Sequence, residues 1–284
     1  MRVATVRADD GAHAAVMAER NGQAVWADIA GAAEALLGDE RCPTTVDGLL
    51  RRDGPGLETP RRVLEALRRD WPPHLRAWAP EGVRLAPPIS APGAFLDFYA
   101  FEQHVRTAGA KRGLEVPPEW YEFPSYYRSN HRSFLGHGDE VWFPAGEDRM
   151  DFELEVGAIL GAPLRHCTAV QAEAAIAGFC LLNDWSARAI QRKVMNVGLG
   201  PSKAKDFGTS LGPWLVTPDE VGGFEDVELS ARVNGETWSR SSPAAMHWRW
   251  GELLAYAAED ARFEPGDVFG SGTLGGGCGL EQDR

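Results

Sequence analysis

The chain has 284 residues, 44% hydrophobic and 25% charged, with a formal net charge of −12. This is the balance of an ordinary soluble globule, long enough for two domains or for one large domain with an added module. The acidic balance, with no Lys/Arg-rich block against it, argues against nucleic acid or an anionic membrane as a partner.

Four scattered cysteines, Cys42, Cys167, Cys180 and Cys278, form no Cys-x-x-Cys pair, so neither a zinc site nor a disulfide framework is indicated. They read as free thiols in a reducing compartment. The N-terminus lacks the apolar core of a signal peptide, and no run reaches the roughly 18 apolar residues of a membrane span. A cytoplasmic location is the expectation.

Residues 3–6 and 14–28 read as strands of a small antiparallel meander, with turns at Asp9-Asp10-Gly11 and Asn21-Gly22. Helices are expected over residues 31–37 and 45–52, and after Thr59-Pro60, where threonine caps and proline takes the first helical position. Arg61, Arg62, Arg68 and Arg69 read as the solvated face of that third helix. Residues 80–92 are rich in Pro and Ala around a short strand at 83–85. That shift marks the crossing from a small N-terminal domain, residues 1–80, into a main domain, residues 81–284. No repeat of fixed period is present. There follow an amphipathic segment (95–112), a Pro/Tyr-rich loop (115–130), an apolar strand (152–160), an Ala-rich helix (169–177) and a second apolar run closing at Asn183-Asp184. The last third is mostly strands between Gly and Pro turns. The fold class expected is α+β, rich in strands, with few helices packed outside.

Candidate chemistry begins on the 152–160 strand. Glu153 and Glu155 share one face there, about 7 Å apart along the strand. Either this is the wet face of an edge strand, with glutamates paired to arginines, or the two carboxylates are buried beside a partner such as a metal. Asp97 and His104 are seven residues apart, which on a helix is two turns along one face; alternatively the histidine is a satisfied core or surface residue. Asp184 ends an apolar strand, as a helix N-cap or as a presented ligand, and Arg188 and Gln191 can point back to it at i and i+3 spacing. Lys205 with Gly208-Thr209, and the run from Gly270 to Gly277, read as anion-binding loops. No nucleotide-binding glycine motif is present. Asp97, Glu153, Glu155 and Asp184 together make an all-oxygen set suited to a hard cation, Mg²⁺, Ca²⁺ or Mn²⁺.

The order Asp-Phe-Tyr-x-x-x-Gln-His, Glu-x-Glu, Asn-Asp-Trp-Ser-Ala-Arg-x-x-Gln, Lys-x-Phe-Gly-Thr and Gly-Ser-Gly-Thr resembles the fumarylacetoacetate hydrolase family from about Ala94 to the C-terminus. The resemblance implies a catalytic domain built as a mixed β-sandwich roll behind a small N-terminal β/α domain, usually dimeric, with bound Mg²⁺ or Ca²⁺. It implies that Asp97, Glu153, Glu155 and Asp184 hold the metal and that His104 is the general base. Lys205, Arg188 and Gln191 would then polarise or bind the substrate, Tyr99 and Tyr127 would contact it, and Gly208, Thr209 and Thr273 would hold its carboxylate end. Glu281 is the nearest match to the glutamate that orients the histidine and water. The implied reaction is hydrolysis of a carbon–carbon bond in a β-diketo acid, as in aromatic-compound breakdown, with an oxo-acid as the small-molecule substrate. Isomerisation, hydration or decarboxylation through an enolate, or a non-turning metal and oxo-acid binder, are the alternatives. Ala189 stands where an acidic residue is common in the family. The chain stops at Arg284 close behind Glu281, where family members usually run on into a further strand or two; the expectation is either a truncated sequence or an edge covered by something else, an uncovered strand edge being a pairing risk.

Overall fold

In the computed structural model, which describes residues 1–283, the alternating N-terminal segments fold as β1 (Arg2–Ala8), β2 (Gly11–Arg20) and β3 (Gln23–Asp28). They pair as an antiparallel meander with Val3 opposite Val16 and Val16 opposite Ala27. Asn21 and Gly22 both take positive φ, 53° and 77°, the handedness that a two-residue hairpin turn needs to match strand twist.

Three helices follow, α1 (Ile29–Leu37), α2 (Val46–Leu50) and α3 (Glu58–Leu67). Thr45 caps α2 by accepting from Gly48 N. The cap expected of Thr59 falls elsewhere. Helix α3 starts at Glu58 behind Leu57, and Thr59 and Pro60 are buried within its first turn, where a missing proline N–H forfeits no helical bond.

The rest of the chain runs β4 (Ala77–Trp78), β5 (Leu85–Ala86), β6 (Phe95–Phe98), α4 (Glu102–Ala110), β7 (Tyr126–Arg128), β8 (Phe134–Leu135), β9 (Met150–Asp151) and β10 (Leu154–Leu160). It continues through α5 (Ala169–Ala174), β11 (Ile176–Asp184), β12 (Ser186–Ala187), α6 (Arg188–Met195), β13 (Thr209–Val216) and α7 (Pro218–Val221). Last come β14 (Leu229–Val233), β15 (Glu236–Ser241), α8 (Trp250–Ala257) and β16 (Val268–Gly270).

One sheet of twelve strands carries the molecule, in the order β4-β3-β2-β1-β13-β11-β10-β16-β6-β7, with β5 beside β1 and β8 beside β13. The meander is continuous with it, because β1 pairs with β13 at Val3 and Leu215. The observed class is the strand-rich α+β arrangement expected from the sequence. No helix among the described residues is long and apolar enough to cross a membrane.

The edge-strand reading of the Glu-x-Glu segment is overturned. Strand β10 lies between β11 and β16, and all seven of its residues are buried. Its period of two feeds two cores. Val156, Ala158 and Leu160 join one with Phe98, Phe269 and the helix residues Trp250 and Leu253. Ile159 joins the other with Val16, Ala32, Leu49 and Val63 of the N-terminal segment. A fully buried side chain of this kind is worth about 1.5–3 kcal/mol, so β10 is anchored from both sides. Glu155 shares the face of Ile159.

Candidate active site

Asp97 is on a strand, not on the helix that its spacing from His104 invited. Phe95, Leu96, Asp97 and Phe98 are all buried, and β6 is clasped between β16 and β7. A four-residue apolar run is too short for periodicity to separate strand from helix. Helix α4 begins only at Glu102, so His104 sits in its first turn. Asp184 is likewise the last residue of β11 rather than a helix cap; α6 starts at Arg188 behind Ala187.

The strand order brings oxygens of Asp97, Glu155 and Asp184 within 4.8 Å of one another. Asp97 is 2% exposed and the other two are fully buried. Glu153 lies outside this tight trio, precedes β10, and is taken up by two cations. Lys205 Nζ donates to Glu153 Oε2 at 2.5 Å and to Asp184 Oδ2 at 2.6 Å, and Arg188 Nη1 is 2.8 Å from Glu153 Oε1. Tyr127 Oη donates to Asp184 Oδ2 at 2.7 Å. Gly272 N donates to Asp97 Oδ1 at 3.2 Å, and Thr273 Oγ1 to Glu155 Oε1 at 3.4 Å. The glycine run read as an anion cradle therefore spends a backbone N–H on a carboxylate of the protein itself.

The electrostatics divide the four acids. Burial raises the Glu153 carboxyl, but the Lys205 and Arg188 cations outweigh it and hold Glu153 well below the usual range. Burial, then the neighbouring Asp184 charge, pushes Asp97 well above its ordinary value, and burial with Asp97 and Asp184 does the same to Glu155. Lys205 is opposed by burial yet raised by Asp184 and Glu153, so it stays an ammonium. Two buried carboxyls are thus left without a cation. Glu155 Oε2 and Asp184 Oδ1 have no hydrogen-bond partner, and orphaned buried acceptors of this sort are costly. A side chain at Gly270 would run into Asp97 Oδ1 and Glu155, so the space between the acids is kept free. The donor set, its charge and its orphaned oxygens fit a hard divalent cation.

Next to this cluster, His104 Nδ1 lies 2.9 Å from Glu281 Oε2, a contact of ion-pair length that is not aligned as a hydrogen bond. Burial raises Glu281, but His104 beside it carries the carboxyl below its usual range. Gly277 N also donates to Glu281 Oε2, at 3.1 Å. The Tyr99 ring meets the His104 ring edge-on at 5.4 Å, and burial pushes its phenol up to about 12. Thr209 pairs with Asp184 across β13 and β11 and is 1% exposed; Gly208 precedes it, against Leu135. Gln191 Oε1 accepts from Arg188 Nη1 at 2.9 Å, so the two share a helix face as the spacing suggests, but the ion pairs of Arg188 are with Asp151 and Glu153 and not with Asp184, to which both were expected to point.

Three residues were not singled out by sequence reasoning. Asp151 accepts from Arg188 Nε at 2.8 Å, Gly279 N at 2.8 Å and Leu280 N at 3.0 Å. It ties the glutamate strand to the arginine and to the turn bearing Glu281; its place two residues before Glu153 was the available signal. Glu147 accepts from Ala189 N and Ile190 N, both at 3.1 Å, and so supplies an acid at the start of α6 where Ala189 lacks one. Cys278 Sγ is 3.5 Å from Glu281 Oε2.

A family model described as fumarylacetoacetate (FAA) hydrolase C-terminal matches residues 94–284. The 2,4-didehydro-3-deoxy-L-rhamnonate hydrolase of Sphingomonas sp. (strain SKA58) is 32% identical, over 56% of this chain and 54% of that protein. The fumarylacetoacetase of Dictyostelium discoideum is 30% identical, over 65% of this chain and 55% of that protein. The match thus spans little more than half the length of these curated relatives. The solved structure of maleylpyruvate hydrolase from Sphingobium sp. SYK-6, in complex with manganese(II) and pyruvate, superposes with a TM-score of 0.70 at 22% identity, covering 98% of this chain and 90% of that one; at that identity the likeness carries the fold. With the family model matched along the whole segment that holds the acid cluster and the histidine, this chain belongs to the fumarylacetoacetate hydrolase family.

Proposed function

We propose that this protein is a divalent-metal-dependent hydrolase that cleaves a carbon–carbon bond in a β-diketo acid, of the fumarylacetoacetate or acylpyruvate kind. The observation that carries this reading is the buried His104–Glu281 pair, 2.9 Å apart, beside acids that lack a cation. Asp97, Glu155 and Asp184 would hold Mg²⁺, Mn²⁺ or Ca²⁺, with Glu153 adjoining. When bound, such a cation acts as a Lewis acid on the substrate's carbonyl oxygens.

The chain's own residues do the rest. Nδ1 of His104 faces Glu281, which leaves Nε2 to take a proton from water; Glu281, ionised, stabilises the imidazolium that forms. The water oxygen adds to a carbonyl carbon, and collapse of that adduct breaks the bond to the neighbouring carbon, giving a carboxylate and an enolate. Lys205 remains protonated beside Glu153 and Asp184, so it acts as a fixed positive donor near the developing charge and never as a base. Arg188 and Gln191 orient substrate oxygens, Tyr99 and Tyr127 line the site as protonated phenols, and Gly208, Thr209 and Thr273 receive the substrate's carboxylate end.

The test is the loss of ultraviolet absorbance of fumarylacetoacetate and of a simple acylpyruvate with Mg²⁺, with and without EDTA, for wild type and His104→Ala. Turnover that needs both the cation and His104 is expected, with a fall of about 10²–10⁴ in the variant. Turnover indifferent to His104 overturns the water-activation role and moves weight to isomerisation or decarboxylation. A folded, cation-loaded protein inert on both substrates overturns the hydrolase reading for this substrate class.

A further inference from the structure

Behind the histidine lies a second group of side chains of metal-ligating type, with different chemistry. His104, Cys278 and Glu281 each offer a ligand atom, and these atoms lie within 4.8 Å of one another. Glu281 Oε2 is 3.5 Å from Cys278 Sγ, which matches the edge of about 3.5 Å that oxygen and sulfur ligands draw around a tetrahedral zinc, and 2.9 Å from His104 Nδ1, about 0.4 Å inside the corresponding oxygen–nitrogen edge, so this pair opens slightly on binding. The side chains are nearly sealed: His104 is 5% and Cys278 0% exposed, and the Glu281 side chain 2%. Two of their atoms, His104 Nδ1 and Glu281 Oε1, have no hydrogen-bond partner. Glu281 lies in a turn whose next residues, Gln282 and Asp283, are exposed.

We infer that His104, Cys278 and Glu281 form an inhibitory site for a borderline-soft divalent cation, zinc above all, distinct from the all-oxygen cluster. Sulfur and imidazole ligands select zinc over magnesium or calcium. Binding converts the Cys278 thiol to thiolate and releases its proton to solvent. It also takes the lone pair of His104 Nδ1, which leaves the ring's one proton on Nε2. That nitrogen then has no lone pair with which to accept a proton from water. Zinc therefore silences the base without touching the acid cluster. The silencing step rests on the proposed role of His104, whereas the binding step does not.

Cobalt(II) reads the binding directly, because a thiolate ligand gives it a near-ultraviolet charge-transfer band and a four-coordinate site gives it strong visible absorption. The experiment adds Co²⁺ to the reduced protein in excess Mg²⁺, then titrates in Zn²⁺. The expected result is a thiolate band saturating at one equivalent, bleached by one equivalent of zinc, absent in Cys278→Ser and weakened in His104→Gln. No thiolate band in the wild type overturns the site, as does a band that persists in Cys278→Ser and so belongs to Cys42, Cys167 or Cys180. Should Cys278→Ser fail to fold, the wild-type band and its loss in His104→Gln decide the matter. In turnover assays at saturating Mg²⁺, zinc is expected to inhibit at least tenfold at the occupancy read from the cobalt titration, with EDTA restoring activity. Zinc that binds without inhibiting retains the site but overturns the silencing step, and an inert wild type fails the hydrolase reading while the optical titration still stands.

Discussion

Replacing Asp151 with alanine tests how the site is held together. Its carboxylate takes Arg188 Nε and Nη2 at 2.8 and 2.7 Å, together with the N–H groups of Gly279 and Leu280. The Asp151 and Arg188 side chains are only 7% and 11% exposed. Breaking a buried pair by removing one partner costs about 3–5 kcal/mol. Arg188 keeps Glu153 at 2.8 Å and Gln191 at 2.9 Å, which moves the expectation to the lower end, about 3 kcal/mol, and with a urea m-value near 3 kcal/mol/M the midpoint falls by about 1 M. The freed N–H groups belong to the turn that carries Glu281, so its carboxylate loses its fixed place against His104, and kcat is expected to fall by about 10²-fold. Asp151→Asn keeps an acceptor oxygen but not the charge and is expected to lie between wild type and alanine in both measurements. Urea melts followed by circular dichroism, with kcat and KM measured separately, check this. A variant within about 0.5 kcal/mol of wild type, with kcat unchanged, would show that Asp151 is a bystander and refute the argument.

Two further predictions concern charge. Protein stripped with EDTA is expected to gain thermal stability when Mg²⁺, Mn²⁺ or Ca²⁺ is restored, by about 2.7 kcal/mol at a hundredfold excess over Kd, whereas Gly270→Ala, whose new methyl group meets Asp97, is expected to show no such gain. A wild-type melting temperature indifferent to all three ions would remove the cation from the acid cluster. On the N-terminal side, Arg7 holds Asp139 through two hydrogen bonds of 2.5 and 2.7 Å and draws its carboxyl below the usual range. Because the folded pKa is depressed, this stabilisation is complete above the unfolded value of about 3.9 and fades as pH falls through the lower folded one. Asp139→Asn is therefore expected to cost about 0.2–1 kcal/mol at pH 7 and progressively less below pH 4; an equal cost in urea melts at pH 7 and pH 3 contradicts the assignment.

What the sequence disclosed and what it hid follow one line. Glu153 and Glu155 were legible because a strand's period of two is local, and Asp184 because an apolar run ends on it. Asp97 stood out as a candidate but was set on a helix, since a four-residue apolar run carries no decisive period. Arg188 and Gln191 pair as helical spacing says. By contrast, the contact between His104 and Glu281 joins residues far apart in the chain, and no local pattern encodes it; it entered only through resemblance. Asp151 was passed over although it continues the alternation of Glu153 and Glu155, because its partners Gly279 and Leu280 come from the other end of the chain.

The same distinction explains why the acids meet at all. Asp97 on β6 and Glu155 on β10 are not neighbours in the sheet, since β16 runs between them. Two strand spacings of about 4.8 Å each put their backbones nearly 10 Å apart, farther than two short acidic side chains span over an occupied row. The residue of β16 in register with Asp97 is Gly270, which also faces Gly157 of β10. With no side chain at Gly270, where a Cβ would meet Asp97 Oδ1 and Glu155 Oε2, the carboxyls lean toward each other across the gap. The cluster is therefore made by one absence in the sheet as much as by the acids themselves. A glycine in the last strand, read in the sequence as part of a loop for an anion, is what lets Asp97 reach Glu155 and Asp184 in the buried cluster proposed to hold a cation.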